Sequence, residues 1–506
     1  MGAVFFMSKE LNKVNGINAS VAFTHNGEVE FFDDYVVGHA FAGESLGKVG
    51  VGLMTDRLIR TDEDLFHSTL SIYRALTTLA LRDRAFRESV AGHERSNNGS
   101  HNKHEANSVA YSLMVDGVAT TPSVAVGRAD TFLVSEGGVL TPKIIEINGR
   151  SPEGQAWCSQ IARTVAERPD MTGTIGEVVK TVAPQAGRRI AFAVWNIDPV
   201  KGNERSFITK ELDILRSQGV IDSFVIVSPD QIQSRDGKLF ASDSEIDWVY
   251  RYFGPHDVAY GESRNGEIGL RGGYGTFDPQ SAENTYGDLS LENSYGTNTT
   301  HTAKDGDSRL RIAGVMWSLM MEGLNGKPVV FPDNLSGVVG YKDLLHAAYE
   351  GEGDLRDIDK RSLLPTFRLE DLQEEVPSDV VLKKSDGSGG KDVVVGATDY
   401  EAIASILKVS VDQVKQNIGL AWQALIARLK TGNGWLVQPQ VIPGNFDLGT
   451  GRQHERIPYD VDPWMVFVDG EVLHTSTLIR RKPTNPNSTN LRINVVQGGS
   501  LGVVPN

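Results

Sequence analysis

The chain has 506 residues, of which 40% are hydrophobic and 23% charged, and its formal net charge is −15. That length predicts roughly three structural units, and the acidity argues against a general nucleic-acid binder, which carries a basic footprint. It leaves room for a local basic site that takes an anionic nucleotide.

Cys158 is the only cysteine, so no intramolecular disulfide and no cysteine-rich zinc site can form. A reducing cytoplasm fits that usage, and the thiol reads as a small buried residue after Trp157 rather than a nucleophile. No apolar run approaches the ~20 residues of a membrane span. The start, MGAVFFMSKELNK, lacks the apolar region and cleavage site of a signal peptide, and Phe6 stands where a myristoylation signal wants Ser or Thr.

In chain order, residues 56–90 predict a helix, with Leu65, Leu70, Ile72, Leu76 and Leu79 at helical spacing and Thr61 with Asp62 as a start signal. Residues 92–108, GHERSNNGSHNKHEANS, predict an exposed linker, and His93, His101 and His104 within it lack a framework to act as metal ligands. VAVGRADTFLV (124–134) and the stretch 142–148 predict two antiparallel strands turning at Gly137-Gly138.

Residues 188–260 change character. RRIAFAVWNI predicts a strand, SFITKELDILRSQG a helix, SFVIVSP a strand, Asp236-Gly237 a turn and IDWVYRYF another strand. Strand, helix and strand at this spacing imply a parallel α/β unit. Residues 254–308 are polar and Gly-rich, without periodicity. Helical patterns return at 309–323 and 340–350. VVLKKSDGSGGKDVVVG (380–396) predicts two strands around a Gly-rich loop, followed by a helix at 411–429 and a strand at WLVQPQVI. A closing hairpin turns at Asp469-Gly470. Trp157 and Trp195 read as core residues.

Two constellations carry chemistry. Gly387, Ser388, Gly389 and Gly390 follow Lys383 and Lys384; glycines let backbone N–H groups approach a polyphosphate, although a plain hairpin connection accounts for them equally and the P-loop motif is absent. In KIIEINGRSPEGQ (143–155), Glu146 and Asn148 share a strand face. Arg128 and Asp130 alternate likewise on the preceding strand. Asp130, Glu146 and Asn148 are hard oxygen ligands suited to magnesium, and Arg128 suits a phosphate or a developing negative charge. The competing reading is a surface hairpin with scattered charges.

The ordered combination resembles a circularly permuted ATP-grasp ligase, the glutathionylspermidine synthetase family in its synthetase domain. R-x-D, a turn and E-x-N precede an α/β unit ending in DWVYRYF. Lys342 in GVVGYKDLLHAAY, Lys383 in VVLKKSDGSGG, Gln438 in WLVQPQVIP, Arg480 or Arg481 in TLIRRKP, and Asn494 in RINVVQGG follow in the family's order. The resemblance spans roughly residues 56–506. It departs in three places: Lys384 stands where relatives commonly carry Pro, leaving open which lysine faces the nucleotide; the amidase domain of the bifunctional enzymes is missing; and the polar 254–308 segment aligns with no part of the family.

The resemblance implies an α/β ATP-grasp fold in four parts: a helical or substrate region at 1–110, the metal and phosphate part at 111–185, an α/β domain at 186–305, and the remaining lobes at 306–506. It implies ATP with one or two Mg2+ ions at Asp130, Glu146 and Asn148. Lys342, Lys383 or Lys384, Gly387 to Gly390, Gln438 and Asn494 would bind ATP, and Arg128, Arg480 and Arg481 would serve catalysis. Arg150, Ser151 and Gln155 either line a substrate pocket or form a turn. The expected activity joins a carboxylate to an amine (amino acid, peptide or polyamine) through an acyl phosphate. The alternatives are a phosphotransferase, a nucleotide-binding regulatory protein, or an interaction protein built around 254–308. Neither nucleic acid nor membrane is an expected partner, and a homodimer is the default assembly.

Overall fold

The computed structural model describes residues 51–53, 56–96, 101–136, 139–149, 154–156, 158–159, 163, 170–194, 203–262, 268–269, 300–302, 309–312, 314–373, 375–385, 393–432, 434–441, 459–481 and 500–505. Their architecture is mixed α/β. The expectations at Gly137-Gly138, Trp157 and Trp195, and those for the start of the chain, lie outside the described residues.

Strand β1 (Val51–Leu53) precedes three helices, α1 (Asp56–Arg82), α2 (Arg84–Ser96) and α3 (His101–Asp116). The single helix expected over 56–90 is divided at Asp83, whose carboxylate accepts from the Phe86 N–H at 3.1 Å and so starts a second helix. The expectation of a linker at 92–108 is corrected, because α2 and α3 take in most of it. Val109, Ala110, Leu113 and Met114 anchor α3 in the core, and that packing carries the polar first turns along.

Strands β2 (Val124–Glu136) and β3 (Val139–Asn148) pair antiparallel, as expected. Ala125 and Ala129 of β2 pack with Ile144 and Ile147 of β3 on the helices, while Val124 and Val126 pack into a second core on the other face. Gly127 leaves room for the Tyr73 ring of α1; a Cβ there would lie 2.3 Å from Tyr73 Cε2.

The middle of the chain runs α4 (Thr174–Ala186), β4 (Arg189–Ala193), α5 (Asn203–Ser217), β5 (Ser223–Val227), β6 (Ile232–Arg235), β7 (Lys238–Ala241), β8 (Ser244–Ile246) and β9 (Trp248–Arg251). Strands β10 (Ala259–Glu262), β11 (Ile268–Gly269), β12 (Thr300–Thr302) and β13 (Arg309–Ile312), helix α6 (Gly314–Glu322) and β14 (Val330–Phe331) follow. The expected parallel unit is present as a sheet ordered β14-β9-β4-β5. Asp236 and Gly237 turn β6 into β7 with φ of 49° and 73°, the left-handed pair that two-residue hairpins demand. The helix expected from 309 begins only at Gly314, because Arg309–Ile312 pairs with β10 and β12.

The last third comprises α7 (Asp343–Glu350), β15 (Phe367–Arg368), β16 (Val380–Lys384), β17 (Val393–Val395), α8 (Tyr400–Leu407), α9 (Val411–Gln416), α10 (Ile418–Lys430), β18 (Trp435–Pro439), β19 (Tyr459–Val468), β20 (Glu471–Arg481) and β21 (Ser500–Pro505). An antiparallel sheet ordered β15-β18-β16-β17 packs Val380, Leu382, Trp435 and Val437 on Ile403, Trp422, Leu425 and Leu429. The helix expected at 411–429 is broken at Asn417, whose φ of −136° and ψ of 51° are not helical.

A six-stranded sheet ordered β1-β21-β20-β19-β2-β3 joins the early strands to the last ones. Beneath it, Glu211 of α5 is fully buried. Its carboxylate accepts from the Gly173 and Gly176 N–H groups at 2.7 and 2.9 Å, at the start of α4. Ser159 Oγ also donates to it, and Arg163 Nη1 lies 3.7 Å away. The N-terminal partial charge of α4 and a buried guanidinium thus compensate a buried anion. Glu211→Ala strands these donors and is expected to cost about 3–5 kcal/mol, by analogy with other broken buried pairs. Glu211→Gln keeps an acceptor and should cost less, as urea unfolding followed by Trp fluorescence would show.

Candidate functional site

The register of β2 on β3 sets Arg128 opposite Asn148 and Asp130 opposite Glu146. These four side chains share the sheet face whose other end is the apolar patch of Val124 and Val126. Asp130 is 6% exposed. Its Oδ1 accepts from Arg128 Nε at 2.9 Å and from Asn148 Nδ2 at 3.0 Å. The Arg128 guanidinium lies over the Trp464 ring of β19, 5.5 Å from its centroid. One carboxylate is therefore gripped by two donors, and one of those is backed by an aromatic face.

Two lysines arrive from elsewhere in the chain. Lys342 immediately precedes α7, and its Nζ stands 3.5 Å from Glu146 Oε2, with the two side chains 9% and 31% exposed. Lys383 of β16 donates from Nζ to the Ile145 carbonyl at 3.2 Å. The strand's alternation decides which lysine does so. Val380 and Leu382 face the helices α8 and α10, so Val381 and Lys383 face the other way, and Lys384 falls on the helix side. Next to the lysines, Ser385 Oγ donates to Asp343 Oδ2.

A third group lies on the same face of the small sheet. Trp435 and Val437 of β18 enter the helical core, which leaves Leu436 and Gln438 on the Lys383 face. Gln438 Nε2 donates to Thr366 Oγ1 at 3.0 Å, and Thr366 Oγ1 donates to the Leu364 carbonyl at 2.9 Å. The Thr366 carbonyl accepts from His346 Nδ1 of α7 at 2.7 Å.

The structure thus gathers Arg128, Asp130, Glu146 and Asn148 with Lys342 and Lys383, and sets Gln438 on the face that Lys383 shares. Gln155 is buried instead, its Oε1 accepting from the Tyr250 hydroxyl at 2.6 Å. Arg251, in the DWVYRYF segment, is buried and donates to the backbone carbonyls of Pro332, Phe253 and Asp333. Arg480 and Arg481 are placed as β20 backbone opposite Asp460 and Tyr459. Their side chains, and Arg150, Ser151, Gly387, Ser388, Gly389, Gly390 and Asn494, lie outside the described residues.

Sequence reasoning missed Thr366, His346, Asp343 and Ser385. His346 had a signal, since it stands four residues after Lys342 on one helical face. Thr366, in LLPTFRL, had none.

Among the described residues, no group of three or more His, Cys, Asp or Glu side chains is arranged to hold a metal ion. Asp130, Glu146 and Asn148 carry side-chain oxygens, the donor class that magnesium takes when phosphate oxygens complete its shell. No described helix is long and apolar enough to cross a membrane.

No known protein-family model matches the chain, and no curated protein matches its sequence. Among solved structures, the chain is similar to a glutathione synthetase-like effector from Globodera pallida in its apo form. The TM-score is 0.43 at 9% identity, over 85% of this chain and 86% of that one.

Cys158 is 1% exposed, and burial pushes its thiol up to about 12. A thiol held protonated cannot serve as a nucleophile near neutral pH. Iodoacetamide at pH 8 is expected to leave the native protein unlabelled and to label Cys158 fully in urea, as intact-mass spectrometry would read.

Proposed function

We propose that the protein is an ATP-dependent carboxylate–amine ligase with a circularly permuted ATP-grasp arrangement, acting on an amino acid or small peptide. One observation carries this: Lys342 and Lys383, from segments far along the chain, converge on β3 at 3.5 Å from Glu146 and 3.2 Å from the Ile145 carbonyl. Buried lysines beside paired carboxylates suit a metal-bound polyphosphate better than they suit a plain surface hairpin.

On this proposal Asp130, Glu146 and Asn148 would hold one or two magnesium ions, which when bound neutralise charge on the β- and γ-phosphates. Lys342 and Lys383 hold the α- and β-phosphates. On the family resemblance, the glycine-rich residues 386–390, which lie outside the described residues, would cover the γ-phosphate and keep water out. A carboxylate oxygen of the substrate attacks the γ-phosphorus, the bond to ADP breaks, and an acyl phosphate forms. The amine attacks the acyl carbon, phosphate leaves with the bonding pair, and the amine loses a proton. Arg128, with Arg480 or Arg481, stabilises the negative charge that develops. Water exclusion protects the acyl phosphate from hydrolysis. This chemistry asks for no protein nucleophile, in keeping with the protonated Cys158 thiol.

The test is ADP release from Mg-ATP with amino acids and small peptides supplied singly and in pairs. A productive pair should raise ADP release and yield an amide. Glu146→Ala and Lys383→Ala should each lower the rate by about 10²-fold or more, a loss typical of removing transition-state charge stabilisation. Lys384→Ala should stay within a few-fold of wild type. ADP release with a single acceptor and no amide would make the protein a phosphotransferase. Tight ATP binding without turnover for any pair would make it a regulatory nucleotide binder.

A further inference from the structure

We propose that Asp343 and Ser385 form a positioning pair that fixes the spacing of Lys342 and Lys383. The inference rests on the nucleotide-binding reading above and deepens it by two residues that act through the lysines. Those lysines belong to separate cores. Lys342 immediately precedes α7, whose Leu344, Leu345 and Ala348 pack in one core with Ala125 and Ala129 of β2 and Ile144 and Ile147 of β3. Lys383 lies in β16, whose Val380 and Leu382 pack on α8 and α10. Each lysine reaches β3, one at Glu146 and the other at the Ile145 carbonyl. A lysine stem is flexible and does not by itself hold its ammonium in place. The placement of the pair therefore depends on how the two elements are joined.

Helix α7 supplies the joint. Asp343, His346 and Tyr349 recur every three residues, so they lie along one side of the helix. Asp343 Oδ2 accepts from Ser385 Oγ. The Thr366 carbonyl accepts from His346 Nδ1 at 2.7 Å. The Tyr349 ring meets Phe367 of β15 edge-on, with centroids 5.6 Å apart. Three successive points along α7 thus seat the small sheet. The first of them lies between the lysines, since Asp343 directly follows Lys342 and Ser385 is the second residue after Lys383. The Ser385 N–H donates to the Gly434 carbonyl at 2.8 Å, so its backbone is fixed beside β18 and its hydroxyl is what reaches across. Asp343 and Ser385 are 7% and 6% exposed, which shields their bond from water.

Loss of the Ser385 hydroxyl leaves a buried carboxylate short of a donor. It also frees the small sheet to pivot on its contacts at His346 and Tyr349, which carries Lys383 out of step with Lys342. The cost falls on a ligand that must meet both ammonium groups at once, as a polyphosphate does.

The experiment is calorimetric titration of the full chain with Mg-ATP, with circular dichroism to confirm a native fold. Ser385→Ala should weaken binding by about tenfold or more, the low end of what a metal ligand loses when the group orienting it is removed. Asp343→Ala should do the same. The double variant should bind no more weakly than either single one, because both substitutions remove the same bond. Ser385→Thr keeps the hydroxyl and should keep most of the affinity, whereas Ser385→Val, of the same shape without the hydroxyl, should lose it. Should an alanine variant not fold, the threonine and valine variants decide by themselves. Ser385→Val binding as tightly as Ser385→Thr, or Ser385→Ala binding as tightly as wild type, overturns the inference and leaves the nucleotide reading standing. Losses that multiply in the double variant overturn it too. Failure of wild type to bind Mg-ATP overturns the nucleotide reading, and this inference with it.

Discussion

Strand β2 is bonded on both edges, antiparallel to β3 and to β19 from the far end of the chain. The site depends on this double pairing. Trp464 of β19 is set opposite Arg128, and Asn148 of β3 is set opposite it on the other side. Arg128 is thereby held between an aromatic face and Asp130. Because side chains alternate with period two, a one-residue slip of β2 would turn Arg128 and Asp130 into the helical core that Ala125 and Ala129 occupy. Apolar burial on both faces fixes the register, and the register fixes the polar constellation.

The other half of the site comes to β3 through charge. Lys342 meets Glu146, and Lys383 meets the strand's own carbonyl at Ile145. Such contacts contribute little net stability once the cost of desolvating the ions is counted. Their weight is in placement: cations from two separate elements converge on β3 and its Glu146, beside the Asp130 carboxylate that Arg128 and Asn148 already orient. The hydrophobic cores supply the folding free energy, and the polar end is the surface they leave over.

Sequence pattern revealed elements wherever local chemistry matched the final structure. The alternation of 124–134 and the Asp469-Gly470 turn mark strands and a hairpin because period and turn residues are local properties. It failed where tertiary packing overrode local signals. Polar residues at 101–108 join α3 because Val109, Leu113 and Met114 further along are buried, and Arg309–Ile312 extends because partner strands exist. The pairing of β1 with β21 unites the extremes of the described chain and has no sequence signature. At the site, Asp130, Glu146, Asn148, Lys342 and Lys383 were legible as motif residues. Thr366 was not, since its hydrogen bonds arise from what Leu364, His346 and Gln438 present to it in space.

The central claim is that β2, β3 and the two lysines form one site for a magnesium-bound nucleotide. The most direct measurement is the affinity for ATP with and without magnesium, in wild type and in Glu146→Gln. The account predicts that magnesium tightens ATP binding to wild type by about tenfold or more, as expected when a metal bridges carboxylates and phosphates. It also predicts that Glu146→Gln loses most of that gain. ATP affinity indifferent both to magnesium and to the Glu146 substitution would contradict it.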